Sequence, residues 1–443
     1  MRHFDTARDT PEAIRAALTA RDTAREAEVE ATVRAILDDV KAHGDAAVLE
    51  YTRRFDWPAP EVRSFQPYTQ FEAAWDGVAD EFKDIVKHAE DNINGFHNAE
   101  RAHLRPWMEH KEAHWYGKSL GTYSVGQVLN PIERAGVYVP GGKAVYPSTV
   151  LMTLLPAAYA GVENFVVCTP AGPDGEIAPL LEGLLHYMSA IFLGDCHVFK
   201  IGGAQAIGAM AYGTETVPKC DVIVGPGNAY VNAAKKLVYG EVGIDMLAGP
   251  SEVAIVADEH ANPAFVAADL LAQTEHGPDN KGVLFCHSAS LLEHCNSELA
   301  KQRELLSRKE ILAVTANNLI FVKTNSVEES LALSNILAPE HLELMVREPL
   351  AVLPLVKNAG AVLLGEHTSA SIGDYWAGPS HTLPTAGAAR FSSPLSVDTF
   401  LKRTSVVYYS KKAAEEAAED VARFAEAEGF DGHAQAARLR GKQ

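Results

Sequence analysis

The chain has 443 residues, 47% of them hydrophobic and 22% charged, which is typical of a globular protein with two or three domains. Its 39 Lys and Arg against 58 Asp and Glu give a formal net charge of −19, which disfavours nucleic acid or an anionic membrane as a partner because phosphates would be repelled. The N-terminus has no secretory signal, and no apolar run approaches the roughly 20 residues of a membrane helix, so we expect a cytoplasmic protein.

Residues 1–125 are predicted to form a helical N-terminal region. Two long segments, DTAREAEVEATVRAILDDVKAHG and AWDGVADEFKDIVKHAEDNINGF, carry apolar residues at helical spacing. Gly44 lies just past the end of the first segment, where a helix commonly stops. No residue pattern in this region indicates chemistry.

Residues 126–245 show short β-rich runs that end in glycine, each followed by a helical pattern. The runs are ERAGVYVPGG, NFVVCTPAG, HVFKIGGAQ and CDVIVGPGN. This alternation predicts an α/β fold with a doubly wound, incomplete Rossmann-like domain. Three of the turns leave backbone N–H groups at helix starts, which favours a weak, non-standard dinucleotide site. None matches GxGxxG or a P-loop, so the alternative is that these glycines only make tight turns.

Residues 246–390 repeat the alternation and predict a second Rossmann-like domain. Its strand candidates are EVAIVAD, KGVLFCH, NLIFVKT and AGAVLLGE. Residues 391–443 are predicted to be a C-terminal helical tail. Within this tail, SKKAAEEAAEDVARFAEAEGF is amphipathic, with Ser410 as its N-cap candidate and Gly429 at its end.

Two segments of the second domain contain candidate metal or substrate residues. In LLAQTEHGPD, Gln273 and His276 are three apart and would share a helix face, although Gln is a rare zinc ligand and the segment is not HExxH. The alternative for His276 is a helix cap or a surface residue. ASIGDYWAGPSHTLPT is too rich in special residues for a filler loop, and it offers Asp374, Tyr375 and His381. The alternative there is a solvated turn.

The stretch APEHLE places Glu340 and His341, two efficient proton-transfer residues, side by side. Adjacent residues do not face each other on a helix and point to opposite faces of a strand. The alternative is a helix start, because proline and glutamate both suit a first turn.

The five cysteines are scattered, odd in number and never form CxxC: Cys168, Cys196, Cys220, Cys286 and Cys295. This usage indicates reduced cytosolic thiols rather than a disulfide framework or a thiolate zinc site. A cysteine-dependent aldehyde dehydrogenase remains an alternative, but no cysteine has an obvious activating partner.

These motifs together resemble the histidinol dehydrogenase family. The longest match is IDMLAGPSEVAIVADEHANPAFVAADLLAQTEH, residues 244–276, and GVYVPGGKAVYPSTVLM, GGAQAIGAMAYGTETVPK, IVGPGNAYV, APEHLEL and GDYWAGPSHTLPT occur in the family's order. The resemblance runs from about residue 30 to the C-terminus. It implies a zinc- and NAD-dependent oxidation of L-histidinol through histidinal to L-histidine, the last steps of histidine biosynthesis. It also implies a homodimer with shared active sites, one Zn²⁺ per subunit, and two NAD consumed per histidinol.

The resemblance also assigns residues. Zinc would be held by Gln273, His276, Asp374 and, from the other subunit, His433. Glu340 and His341 would be the acid/base pair. Substrate would contact Ser251, Gln273, His276, His341, Asp374, Tyr375, His381, Glu428 and His433, and NAD would contact Tyr138, Gln205 and Asn228.

A mechanism follows from this resemblance as a hypothesis. The reaction removes hydroxyl protons and also needs a water at the same carbon. We expect His341 to take the hydroxyl protons and Glu340 to activate the water, from side chains that point apart around the substrate carbon. Zinc would orient the substrate through its amine and imidazole more than it would make hydroxide.

Two departures from the family pattern bear on specificity. Ser380 stands where the family usually has Asn, and the segment YMSAIFLGDCHVFKIGG is a few residues longer than usual. A paralogous group resembles sulfopropanediol dehydrogenases, which act on a non-imidazole diol, but Ser251 and Glu252 here are of the histidinol type. A non-catalytic nucleotide-binding relic is the remaining alternative.

Overall fold

The computed structural model describes residues 1–20, 23–115, 118–141, 145–192, 194–247, 249–275 and 277–441. Within these ranges the strands are β1 (Arg2–Asp5), β2 (Trp107–Trp115), β3 (Lys118–Pro131), β4 (Arg134–Tyr138), β5 (Asn164–Cys168), β6 (Asp195–Phe199), β7 (Val222–Val224), β8 (Gly243–Ile244), β9 (Glu252–Ala257), β10 (Lys281–Cys286), β11 (Leu319–Lys323), β12 (His341–Met345), β13 (Ala361–Leu364) and β14 (Leu401–Tyr409).

The α-helices are α1 (Pro11–Leu18), α2 (Thr23–His43), α3 (Asp45–Phe55), α4 (Pro67–Gln70), α5 (Glu72–Asp76), α6 (Asp80–His103), α7 (Pro147–Ala160), α8 (Pro179–Ile191), α9 (Gly203–Tyr212), α10 (Ala229–Val238), α11 (Pro263–Thr274), α12 (Ala289–Arg303), α13 (Lys309–Thr315), α14 (Val327–Leu337), α15 (Pro349–Val352), α16 (Ala370–Tyr375), α17 (Lys411–Ala427) and α18 (Asp431–Gly441). Short 3-10 turns occur at Ala316–Asn318, Leu353–Leu355, Ala388–Arg390 and Val397–Phe400.

The first sheet has the order β6-β5-β4-β7-β8, and all of its pairs are parallel. Its strands are buried apolar runs, as a parallel sheet covered on both faces requires. Helices α2 and α3 from the N-terminal region pack against α9 and α10 on this sheet. The four predicted strands of residues 126–245 are therefore confirmed, and the N-terminal helices add to their core.

The second sheet has the order β1-β11-β10-β9-β12-β13, again with parallel pairs throughout. The four strands predicted here are confirmed as β9, β10, β11 and β13. Two strands were missed: β1, which pairs at the edge, and β12, which lies between β9 and β13. Strand β12 escaped recognition because His341 and Glu343 interrupt its apolar run although the whole strand is buried.

Apart from β1, the two sheets share one strand order. Each begins with a central strand, adds two strands on one side, and then crosses to add two on the other. The order reverses between β4 and β7 in the first sheet and between β9 and β12 in the second. Such a switch point leaves a crevice between the connections, where open α/β sheets bind ligands.

The chain divides into two compact units. The first comprises Met1–Ala99 and Ile132–Phe400, and the second comprises Glu100–Pro131 and Leu401–Gln443. The boundaries 125, 245 and 390 from the sequence stay predictions. In the second unit, β3 pairs antiparallel with β2 and β14, and α17 packs on α18.

The C-terminal helix has the predicted cap, because Ser410 Oγ accepts a hydrogen bond from Ala413 N at 3.3 Å. Helix α18 follows Gly429, and β14 precedes α17, so the region predicted as a helical tail also contains a strand. In the described ranges, no helix combines the length and the apolarity that crossing a membrane requires.

Leucine truncation tests the position of the second core. Leu284, in β10, is fully buried, whereas Leu305, just past α12, is 84% exposed. Leu284→Ala is expected to lower the free energy of unfolding by about 2–5 kcal/mol, because it leaves a cavity that the sheet cannot close. Leu305→Ala is expected to change it by less than about 0.5 kcal/mol. Urea denaturation measures both; equal effects would contradict the assigned core.

Candidate active site

The pair Glu340–His341 lies at the amino end of β12, next to the amino end of β9. Helix α14 ends at Leu337, and its C-cap residue Ala338 has the left-handed φ of 53°. Strand β12 begins at His341, in register with Val253 of β9. The helix-start alternative is therefore wrong, since APEHLE ends one helix and begins a strand. Gly360 lets this turn pack closely, because a Cβ there would lie 2.6 Å from the Glu340 carbonyl oxygen.

The Glu340 carboxylate is buried and held by two donors. Its Oε2 accepts the backbone N–H of Glu252 at 3.0 Å and the Gln273 amide Nε2 at 3.3 Å. His341 Nδ1 lies 3.8 Å from the same oxygen. The two side chains thus approach each other, and the expectation that they point apart is wrong. Strand alternation does not govern Glu340, because this residue precedes β12 and follows a left-handed turn.

His341 is oriented by a second carboxylate. Its Nε2 lies 3.2 Å from Asp374 Oδ1, at the end of α16. Burial by itself would lower the pKa of His341, but the hydrogen bond to Asp374 and the charges of Glu340 and Asp374 outweigh burial and raise it. Burial raises the pKa of Glu340, opposed by the charge of His341. Both side chains therefore hold a proton more readily than they would in water.

Two further buried carboxylic acids, Asp269 and Glu343, lie close to these residues. Asp269 is one helical turn before Gln273 on α11, and Glu343 shares a strand face with His341. The two buried carboxyl groups interact, and the charge of Asp269 disfavours an ionised Glu343. Glu343 Oε1 also accepts the Ala370 N–H at 3.0 Å, at the start of the helix that carries Asp374. Burial and the neighbouring Asp269 raise the pKa of Glu343 well above 4.5.

Asn280 is a residue of this site that the sequence analysis missed. Its Oδ1 accepts the Ser251 N–H at 3.1 Å and its Nδ2 donates to the Gln273 carbonyl at 3.1 Å. It therefore ties the turn before β9 to the end of α11. Its only signal in the sequence is its place in the HGPDN turn. The Ser251 side chain hydrogen-bonds to Glu340, so Ser251 belongs to this cluster, and its contact with substrate stays a prediction.

His381 joins the same cluster from the 370–385 segment. Its Nδ1 lies 3.1 Å from the Asp374 carbonyl oxygen, and its Nε2 lies 3.4 Å from Thr149 Oγ1 on α7. Ser380, the departure from the family pattern, is buried, and its hydroxyl donates to the Met152 carbonyl at 3.2 Å. Tyr375 follows Asp374 at the end of α16 and is 54% exposed.

The three residues predicted to contact NAD border the first sheet. Tyr138 is the last residue of β4, and its buried hydroxyl accepts the Gly203 N–H at 3.1 Å. Gln205 is buried on α9, with its amide 3.5 Å from Asp56 Oδ2. Asn228 follows β7 and caps α10 through its Oδ1. Tyr138 and Asn228 therefore flank the switch point at the carboxyl edge, where a nucleotide is expected.

The predicted zinc ligands are only partly brought together. Gln273 and Asp374 approach Glu340 and His341 respectively. His276 lies outside the described residues. Within the described ranges, no three His, Cys, Asp or Glu side chains form a group that would hold a metal. The donor chemistry nevertheless fits Zn²⁺, because this ion binds carboxylate oxygen and imidazole nitrogen, the groups that Asp374, His276 and His433 would supply.

The remaining predicted residues belong to the second compact unit. Glu428 terminates α17, and His433 lies on α18 with its ring 5.4 Å from that of Phe430. Both are exposed. Their roles as substrate and metal contacts stay predictions.

The cysteines behave as the sequence analysis expected. All five are buried free thiols. Burial raises the pKa of Cys196, Cys220 and Cys295 to about 12, which suppresses the reactive thiolate. A cysteine nucleophile is therefore disfavoured.

Comparisons with known proteins agree over nearly the whole chain. A family profile described as histidinol dehydrogenase matches residues 19–441. The histidinol dehydrogenase of Geobacter sulfurreducens is 43% identical over 444 residues, covering 99% of this chain and 100% of that protein. That of Bacillus subtilis is 44% identical and covers 93% of each chain. The crystal structure of histidinol dehydrogenase from Elizabethkingia anophelis matches with a TM-score of 0.87 at 34% identity, covering 99% of this chain and 98% of that one.

The buried pair Asp269 and Glu343 leads to a prediction of how the free energy of unfolding depends on pH. Because the pKa of Glu343 is raised in the folded state, its stabilising contribution is full below about pH 4.5 and is lost as the pH rises through the folded value. Glu343→Gln supplies a permanent donor to Asp269 without a titrating proton. The free energy of unfolding of this variant is expected to fall less between about pH 5 and 8 than that of the wild type.

Urea denaturation across this pH range measures the difference. Glu293→Gln, at an exposed position of α12, is the matched control and should keep the wild-type slope. The same slope in the Glu343→Gln variant would show that the buried pair does not share a proton.

Proposed function

The chain belongs to the histidinol dehydrogenase family of oxidoreductases, and we propose that it oxidises L-histidinol through histidinal to L-histidine with two NAD. One observation carries the proposal beyond family membership. It is the buried chain of contacts Gln273–Glu340–His341–Asp374, which supplies two proton-transfer groups at the amino ends of β9 and β12. The similarity to proteins named histidinol dehydrogenase favours this substrate over a sulfonated diol.

His341 is the proposed base for the hydroxyl protons. Its Nε2 faces Asp374, so Nε2 carries the ring proton and Nδ1 presents the lone pair. Nδ1 is therefore the atom that accepts the proton of the alcohol as hydride leaves the carbon. Asp374 stabilises the imidazolium that results, which is the consequence of the raised pKa of His341.

Glu340 is the proposed base for water addition to the aldehyde. Its Oε2 is fixed by the N–H of Glu252 and the amide of Gln273. A carboxylate held in this way removes a water proton as the oxygen attacks the aldehyde carbon, while the His341 imidazolium returns its proton to the carbonyl oxygen, giving the hydrate. His341, neutral again, then takes a hydroxyl proton of the hydrate as the second hydride leaves. The short distance between the two bases, 3.8 Å, lets both serve one carbon.

A Zn²⁺ ion and NAD complete the proposed active site. Gln273, His276 and Asp374, with His433 of the second copy, would hold one Zn²⁺, which supplies Lewis acidity and orients the substrate nitrogens. Tyr138, Gln205 and Asn228 would hold NAD, which accepts hydride.

A homodimer is supported by the apolar surface of the second compact unit. Large side chains stand exposed on β2, β14 and α17: Trp107, Val407, Tyr408 and Phe424. Exposed apolar groups grouped on one small unit favour burial against another chain. We propose that this unit pairs two copies and brings His433 to the other active site. The charge of −19 disfavours nucleic-acid and anionic membrane partners, and we expect the enzyme to act in the cytoplasm.

The first test measures NADH formation by the purified protein. L-Histidinol is expected to give two NADH per molecule, because both oxidations occur at one site. Activity should disappear after chelation and return with Zn²⁺. Sulfopropanediol is the comparison substrate.

Three results would contradict the proposal. Turnover of the diol alone would assign the chain to the paralogous group. Thiol alkylation that stops activity where chelation does not would indicate a cysteine enzyme. NAD binding without turnover of any alcohol would indicate a relic.

A complementation experiment tests the shared site. His341→Asn and His433→Ala are each expected to lower kcat by about 10²-fold or more, because one removes the base and the other a proposed metal ligand. Co-expression of the two variants gives mixed dimers with one intact site. About a quarter of wild-type activity should return under random pairing. No recovery, with mixed dimers demonstrated by mass, would place His433 in its own subunit's site or in none.

A further inference from the structure

A fully buried ion pair lies beneath the first sheet and outside the cluster described above. Lys235 is on α10, and Asp245 directly follows β8. Both side chains have no solvent exposure, and Lys235 Nζ contacts Asp245 Oδ1. Neither the proposed mechanism nor the residue roles assigned from the resemblance use this pair. Burying two charges is costly, so the position of this pair needs an explanation.

Both charges are directed at one residue, Gly225. Lys235 Nζ donates to the Gly225 carbonyl oxygen at 2.9 Å. The Gly225 N–H donates to Asp245 Oδ2 at 2.9 Å. The other Asp245 oxygen, Oδ1, accepts the Met246 N–H at 2.6 Å. The ion pair therefore holds the polar backbone atoms of this glycine on both sides.

Gly225 begins the turn that leads to Asn228, and it packs against Tyr138. Both of these residues are proposed to contact NAD. Its φ is +113°, and a Cβ would lie 2.2 Å from the Tyr138 carbonyl oxygen. The turn then leads to Asn228, whose Oδ1 accepts the N–H groups of Tyr230 and Val231 at the start of α10. A displacement of Gly225 would therefore move Asn228 and open the contact with Tyr138.

The network continues to the third proposed residue. The Tyr138 hydroxyl accepts the N–H of Gly203, two residues before Gln205 on α9. The turn after β7 and the start of α9 thus both contact Tyr138. Nothing in these contacts needs the dinucleotide to be present.

Stability alone does not account for this arrangement. Replacing a buried ion pair with apolar residues of similar volume is often neutral or stabilising, whereas removal of one partner is strongly destabilising. We propose that Lys235 and Asp245 are positioning residues, which fix Gly225 so that Tyr138 and Asn228 are in place before NAD binds. This inference rests on the proposed use of NAD.

The decisive variant is the double replacement Lys235→Met/Asp245→Leu in the full chain. It removes both charges together, so the fold is expected to survive with a Tm near that of the wild type. The Kd for NAD, measured by calorimetry, is expected to rise on the order of tenfold or more, because the turn loses its fixed position. The KM for L-histidinol at saturating NAD should stay unchanged.

Lys236→Met is the matched control. Lys236 is the next residue of α10, is 52% exposed and pairs with Glu30 on α2. This variant should bind NAD as the wild type does. Lys235→Gln/Asp245→Asn is a second test variant, which removes both charges but keeps neutral polar groups beside Gly225. It should also weaken NAD binding, and it decides the question if the first double variant does not fold.

The outcomes separate this inference from the proposed function. A wild-type protein that binds no NAD would overturn the proposed function itself. A wild type that binds NAD, together with folded Lys235→Met/Asp245→Leu or Lys235→Gln/Asp245→Asn variants of unchanged Kd, would overturn the positioning role alone. An equal increase in the Kd for NAD and in the KM for L-histidinol would also overturn it, because a general structural effect would then be the cause.

Discussion

The hydrogen bond between His341 and Asp374 is the interaction on which the site depends. It joins the amino end of β12 to the short helix α16, and both partners are largely withdrawn from water. Burial of an imidazole disfavours its charged form, so a base in this position needs a carboxylate beside it. Asp374 supplies that carboxylate, and the net effect is a raised pKa at His341. The carboxylate of Glu340 has a comparable requirement, which the N–H of Glu252 and the amide of Gln273 meet.

The two sheets share a strand order but use opposite edges. In the first sheet, glycine turns follow the carboxyl ends of the strands, the usual place for a nucleotide. In the second sheet, the proposed proton-transfer residues Glu340 and His341 lie at the amino end of β12, beside the amino end of β9. The two edges offer different groups. Backbone N–H groups in glycine turns lie at the first, and buried side chains held by hydrogen bonds lie at the second.

Buried polar pairs support both regions. Asp269 and Glu343 connect α11, β12 and the start of α16, which carry Gln273, His341 and Asp374. Lys235 and Asp245 play the corresponding part at the turn after β7. A buried polar network restricts its members to one arrangement, since any other leaves a charge unpaired at high cost. The sheets supply the core, and these pairs fix the functional turns upon it.

The sequence by itself determined the alternation of strands and helices, the cap at Ser410 and the inert cysteines, because these depend on local periodicity and composition. It also yielded the family, from motifs too long to arise by chance. It did not reveal β12 as a strand, because Glu343 and His341 are residue types that usually lie at the surface. Here both are buried, and His341 is hydrogen-bonded to Asp374. Only the tertiary structure decided that Glu340 and His341 approach each other, and that Asn280 and Lys235 have positioning contacts. Those contacts join residues far apart in the chain, and no local pattern encodes which distant group a buried side chain will meet.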